Sequence, residues 1–224
     1  MAIVAIDIQP QYRFSCMAAN EKRFLIRPES IVGELNRQAQ FADKRLLVEN
    51  TTIHNEALCH IRIHKENELP TDRASFIFNR NRYFSDCNSG CRARELLNGL
   101  PFQADYDHSV EVAGSHNFGA CFHDAEEKRS TGLIEWLYAQ NADTVIIGGL
   151  ATEEAVADTA KQLSWYNNDL HIIVNLAACC GYTPETTIET VYKMREAGIT
   201  VVTETAQLTE AVQRIPSKLL SKVS

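Results

Sequence analysis

The stretch of this sequence best placed to do chemistry is the run Gly149-Leu150-Ala151-Thr152-Glu153-Glu154-Ala155-Val156-Ala157-Asp158-Thr159-Ala160. Upstream, Thr144 to Gly148 reads as a buried strand; downstream, Glu153 to Trp165 reads as a helix with an acidic first turn, as the helix dipole favours. A strand-to-helix turn of this kind gathers backbone N–H groups, which stabilise a thiolate or an oxyanion. A Cys at the head of the helix would be a nucleophile there. The residue is Ala155, whose methyl group attacks nothing. A second chemically able residue, Asp7, ends the first apolar run, with Gln9 two positions on.

These segments resemble the isochorismatase and nicotinamidase family of cysteine hydrolases. Asp7-Ile8-Gln9 is similar to the family's Asp-x-Gln, and Gly149 to Ala160 to the run that carries its Cys, with Ala155 in the Cys place. Asn117 to Phe122 sits where the family has an aromatic, Ser-rich loop, Thr131-Gly132-Leu133 and Leu137 resemble its next helix, and Ala178 to Gly181 its late small-residue turn. The resemblance implies three cooperating groups: a thiolate that attacks a carbonyl carbon, an Asp that accepts the thiol proton, and a Lys that fixes the charges. Asp7 matches the Asp, while the Lys place, just before Gly114, holds Ala113. It further implies a pocket bordered by Gln9, Phe14, Phe118, Leu150 and Ala151, and a cis peptide between Leu150 and Ala151.

Two lost groups point to a catalytically silent member of the family, acting by small-molecule binding or as a subunit of an assembly. The alternative is an active cysteine hydrolase of small amides, whose nucleophile was replaced in this sequence or is supplied by Cys121 or Cys179. A general nucleotide-binding protein comes last, because no Gly-x-Gly-x-x-Gly run follows any predicted strand. Each residue also has a plainer role. Asp7 could bond backbone at a strand end, Glu153 and Glu154 could favour their helix start, Phe14 and Phe118 could be core, and His116 and His123 could be exposed loop residues. Glu111 shares a strand face with Ala113 but has the wrong sign to replace a Lys.

Nicotinamidases of the family bind a divalent metal through Asp-x-His and a later His. Here Thr52 and His54 fill the first pair and the later His falls near Ser85-Asp86-Cys87, so one imidazole remains and no metal or other cofactor is expected. His54, Cys59, His60, His64, Cys87 and Cys91 match no familiar zinc spacing.

The 224 residues suffice for one core, and the chain reads as a single domain, 1–224, with a less regular insert at about 55–106. A net charge of -7 argues against nucleic acid or an anionic membrane as partner. Apolar runs are strand-sized and no signal peptide opens the sequence, so the cytoplasm is expected. Seven cysteines in irregular spacing suit free thiols there. A homo-oligomer follows from the resemblance, with Phe76-Ile77-Phe78 as a candidate exposed segment.

The elements that must position these residues alternate. Strands are predicted at Ala2–Ile6, Arg45–Thr51, Ser109–Ala113, Thr144–Gly148, His171–Asn175 and Thr200–Thr203. Helices are predicted at Pro28–Phe41, Cys91–Leu97, Ser130–Gln140, Glu153–Trp165, Pro184–Ala197 and Ala206–Arg214. This alternation is that of an α/β fold with a covered parallel sheet. The resemblance sharpens it to a three-layer αβα sandwich with six strands in the order 3-2-1-4-5-6, where Asp7, Ala113 and Ala155 would converge beyond the strands' carboxyl ends.

Overall fold

Strands β1 (Ala2–Ile8), β2 (Lys44–Asn50), β3 (His108–Val112), β4 (Ala142–Leu150), β5 (His171–Cys180) and β6 (Thr200–Val202) form one sheet. A computed structural model describes this architecture for residues 2–12, 27–51, 95–112, 119–124, 126–167 and 169–213. The order is β3-β2-β1-β4-β5-β6 and every pairing is parallel, as the resemblance implied. The central strands are apolar on both sides because helices cover both faces. Val4, Ile6 and Ile8 of β1 face one layer, with Val145 and Ile147 beside them. Ile146 of β4 faces the other.

Among the described residues five helices make the two layers. α1 (Val32–Gln38) is extended by 3-10 turns at Pro28–Ile31 and Ala39–Phe41, and lies with α5 (Leu208–Gln213) on one face. α2 (Leu133–Ala139), α3 (Ala157–Tyr166) and α4 (Pro184–Glu196) cover the other, where Leu133, Leu137, Ala160, Leu163 and Met194 join the largest core cluster. Each fully buried Leu or Ile contributes about 1.5–3 kcal/mol. Pro28 and Pro184 occupy first turns, and Gly198 ends α4 at a positive φ of 80°.

Two expectations are corrected. β5 does not stop at Asn175 but continues to Cys180, with an irregularity in its pairing between Ile147 and Gly149 that absorbs the mismatch. The end of the predicted helix Cys91–Leu97 is extended instead: Leu96 bridges Gln11, Tyr12 donates its N–H to the Glu95 carbonyl, and Leu97 donates to that of Pro10. Its apolar pair Leu96-Leu97 fits either state, and pairing with the segment after β1 decides it. Among the described residues no helix is long and apolar enough to cross a membrane.

Candidate small-molecule site at the carboxyl edge of the sheet

β1 and β4 run side by side, with Ile8 opposite Gly149. Gly149 has a φ of 140°, and a Cβ there would collide with the Ile8 backbone, so only glycine lets the two strands close at this point. The peptide bond between Leu150 and Ala151 is cis. The chain then winds through a π turn, Thr152–Val156, before entering α3. Such turns recur at functional sites. Leu150, Ala151, Thr152 and Ala155 are all buried.

The turn is fixed from both sides. The Thr159 hydroxyl donates to the Ala155 carbonyl at 2.6 Å and accepts from the Ala120 N–H at 2.8 Å, binding the 119–122 loop to the helix head. Glu153 lies in the first turn, as the sequence suggests, and its side chain also reaches the next helix. Its carboxylate accepts from the Tyr182 N–H at 3.0 and 3.1 Å, from Thr186 Oγ1 at 3.0 Å and from Thr187 Oγ1 at 2.6 Å, anchoring the start of α4. Gly181 is required beneath it, since a Cβ would run into Thr187 Oγ1 and sit 2.7 Å from Glu153 Oε1. The Tyr182 hydroxyl donates to Glu154 at 3.0 Å.

Asp7 is fully buried, and its carboxylate is already engaged. Oδ2 accepts from Arg45 Nε at 2.9 Å and from the Tyr106 hydroxyl at 2.9 Å, with Arg45 Nη2 at 2.7 Å; Oδ1 accepts from Gln38 Nε2 at 3.3 Å. Burial pushes the carboxyl above its usual range, opposed by the Arg45 charge and by the bonds from Tyr106, Arg45 and Gln38. The same buried carboxylate, together with desolvation, pushes the Tyr106 phenol up.

Of the three residues expected to converge, Asp7 and Ala155 fall within the described residues, on different faces of the sheet. Asp7 points to the α1 face, where Gln38 lies and where Leu35 and Gln38 also cover Gly148, its register partner. Ala155 belongs to the core cluster of Ile6 and Ile8 on the opposite face. Alternation along β1 accounts for this, because residues 6 and 8 face one way and residue 7 the other. Ala113, Phe14 and Phe118 lie outside the described residues, as do His54, Cys59, His60, His64, Cys87, Cys91, His116 and Phe76 to Phe78.

Neither candidate replacement thiol is activated. Cys179 is buried at the end of β5 beside Gly149 and donates to the Asn175 carbonyl at 3.2 Å; burial pushes its pKa up to about 12. Cys121 is likewise buried and its thiol is pushed up by desolvation and by Glu127 and Glu135. A thiol so placed stays protonated and inert.

Two polar atoms at the edge are buried without a hydrogen-bond partner among the described residues, Gln9 Oε1 and Thr152 Oγ1, on the segments that follow β1 and β4. Gln9 was expected in the pocket; Thr152 was not. Arg45, Tyr106 and Gln38 were also missed, because their meeting with Asp7 depends on strand register and helix placement that no local spacing encodes.

Comparison with known proteins bears on this geometry. A family model described as isochorismatase domain matches residues 1–207. No curated protein sequence matches the chain. Among solved structures, the fold is similar to an isochorismatase family protein from Desulfovibrio vulgaris subsp. vulgaris str. Hildenborough, with 17% identity, TM-score 0.61, and 95% of this chain and 98% of that one covered. It is similar to an Acinetobacter baumanii nicotinamidase/pyrazinamidase, with 17% identity, TM-score 0.60, and coverage of 92% and 96%. It is also similar to the pyrazinamidase of Pyrococcus horikoshii solved in complex with zinc, with 18% identity, TM-score 0.57, and coverage of 89% and 98%.

Proposed function

We propose that this chain, which belongs to the isochorismatase family, lacks hydrolase activity and works by binding a small neutral molecule at the carboxyl edge of its sheet. The observation that carries this reading is the pairing of two facts. Ala155 occupies the helix head with a methyl group, and Asp7, the one member of the implied triad retained in the sequence, is held by Arg45, Tyr106 and Gln38 on the other face. A carboxylate already accepting from three side chains on the α1 face is not placed to take a proton from a group at the helix head. The buried, neutral thiols of Cys121 and Cys179 weigh against a substitute nucleophile.

The ligand is a molecule with N–H or O–H donors, which Gln9 Oε1 and Thr152 Oγ1 could accept, on segments that also carry the apolar Leu150, Ala151 and Ala155. The charge of Arg45 against Asp7 removes the reason to expect a cationic ligand there. Self-association and a cytoplasmic setting belong to the same proposal. The exposed Trp165, Ile188 and Tyr192 support the first, and the free thiols of Cys121, Cys179 and Cys180 support the second.

The experiment is a turnover assay with nicotinamide and related small carboxamides, on the protein as it stands and on Ala155→Cys. Both are expected to stay at background. Hydrolysis by the unaltered protein would overturn the proposal; hydrolysis by the single substitution would show that Asp7 remains available for catalysis.

A further inference from the structure

The bonds of Asp7 are one end of a longer line. Gln38, which donates to Asp7, accepts at Oε1 from Asn175 Nδ2 of β5 at 3.3 Å. The same Asn175 nitrogen donates to Thr205 Oγ1 at 3.0 Å, and Thr205 donates to Glu34 Oε2 of α1 at 2.6 Å. A branch leaves from Arg45, whose Nη1 donates to Asn36 Oδ1 at 3.0 Å, while Asn36 Nδ2 donates to the Gly99 carbonyl at 2.8 Å. Asp7, Gln38, Asn175 and Thr205 are all buried. The line joins β1, β2, the turn before β3, α1, β5 and the turn before α5.

We propose that this line is a structural strap, with Asp7 and Arg45 as its ionic centre, and that Asp7 serves in this chain to fasten α1 to the sheet. Burying Asp7 is costly unless the charge is paired and its lone pairs are filled, and here a guanidinium, a phenol and an amide fill them. Each of those donors is held in turn: Arg45 by Asn36 and by stacking over the Tyr106 ring at 5.1 Å, and Gln38 by Asn175. Removing Asp7, Gln38 or Asn175 takes a partner from a buried polar group of its neighbour, so these members are expected to act together. The strap is read by stability and not by turnover, so its failure and that of the binding proposal are separate events.

The experiment is a set of thermal unfolding midpoints on the full chain. Arg45→Met leaves a buried carboxylate alone and is expected to lower the midpoint by roughly 10 °C. Adding Asp7→Asn to it should recover part of that loss, because the buried charge goes and one of the two acceptor oxygens, which serve Tyr106 and Gln38, stays. Thr205→Val, which does not touch Arg45, should combine with Arg45→Met less than additively, by roughly 2 °C or more. Should Arg45→Met fail to fold, Tyr106→Phe deletes a single hydroxyl and gives the same comparison on a smaller scale. Midpoints within about 2 °C of the parent for Arg45→Met, or strict additivity of the pairs, would overturn the strap.

Discussion

Replacing Glu153 by Ala removes the carboxylate that joins the π turn to the start of α4. Three donors lose a bond, the Tyr182 N–H and the hydroxyls of Thr186 and Thr187, of which Thr186 keeps the Thr183 carbonyl at 3.2 Å. Hydrogen bonds to a charged group contribute about 1.5–3 kcal/mol each when well buried. Glu153 is half-buried and the freed hydroxyls can turn to water, so about 1 kcal/mol per donor is the better figure, or about 3 kcal/mol in all. Loss of a negative charge at the head of a helix adds about 0.3–1 kcal/mol. The 13-residue α4 keeps its Thr183 cap, whose side chain accepts from the Thr186 N–H, so the helix itself persists and the loss falls on its docking. For a chain of this size the sum is a fall of roughly 7–16 °C in the unfolding midpoint. Urea unfolding of the parent, Glu153→Ala and Glu153→Gln measures it, with the amide expected to fall between the other two. A loss below about 1 kcal/mol for Glu153→Ala would refute the reasoning, since it would mean that the three donors find equal partners without it.

Other outcomes follow from the same geometry. Gly149→Ala should cost about 3 kcal/mol or more, because its Cβ meets the Ile8 backbone and its φ of 140° suits only glycine; denaturant unfolding reads it directly. Cys121, Cys179 and Cys180 should resist a thiol reagent at pH 8 in the folded protein and react once it is unfolded in urea. Burial raises the folded pKa of Cys179 to about 12 from 9.0, so the stability it permits is fully present below pH 9 and is lost as pH rises from there towards 12. Cys179→Ala should flatten that alkaline limb, as seen in unfolding midpoints between pH 8 and pH 11.

Much of the architecture is legible in the residues. The apolar runs of β1 and β4, the prolines at 28 and 184 and the stop at Gly198 mark their elements by local chemistry, and the resemblance supplied the order of the strands. What failed did so where tertiary pairing outweighs local preference. Ala178 to Gly181 reads as a small-residue turn, yet pairing of Cys179 and Cys180 with Gly149 and Leu150 keeps its first three residues in β5. Leu96 reads as helical and pairs with Gln11 instead. In the site, Ala155 and Gln9 were visible at once. Period two along β1 separates Asp7 from Ile6 and Ile8, but the partners waiting on its side come from residues 31, 38 and 99 positions away. No spacing rule reaches that far.

The π turn at Thr152–Val156 sets a limit on how this region can change in length. One residue more or less there rotates everything downstream by about 100° relative to β4. Ala160 and Leu163 would swing away from the sheet and Trp165 towards it. Substitutions can accumulate along this junction while its residue count is held, so redesign of the turn is best pursued by exchanging side chains and leaving the length of the backbone untouched.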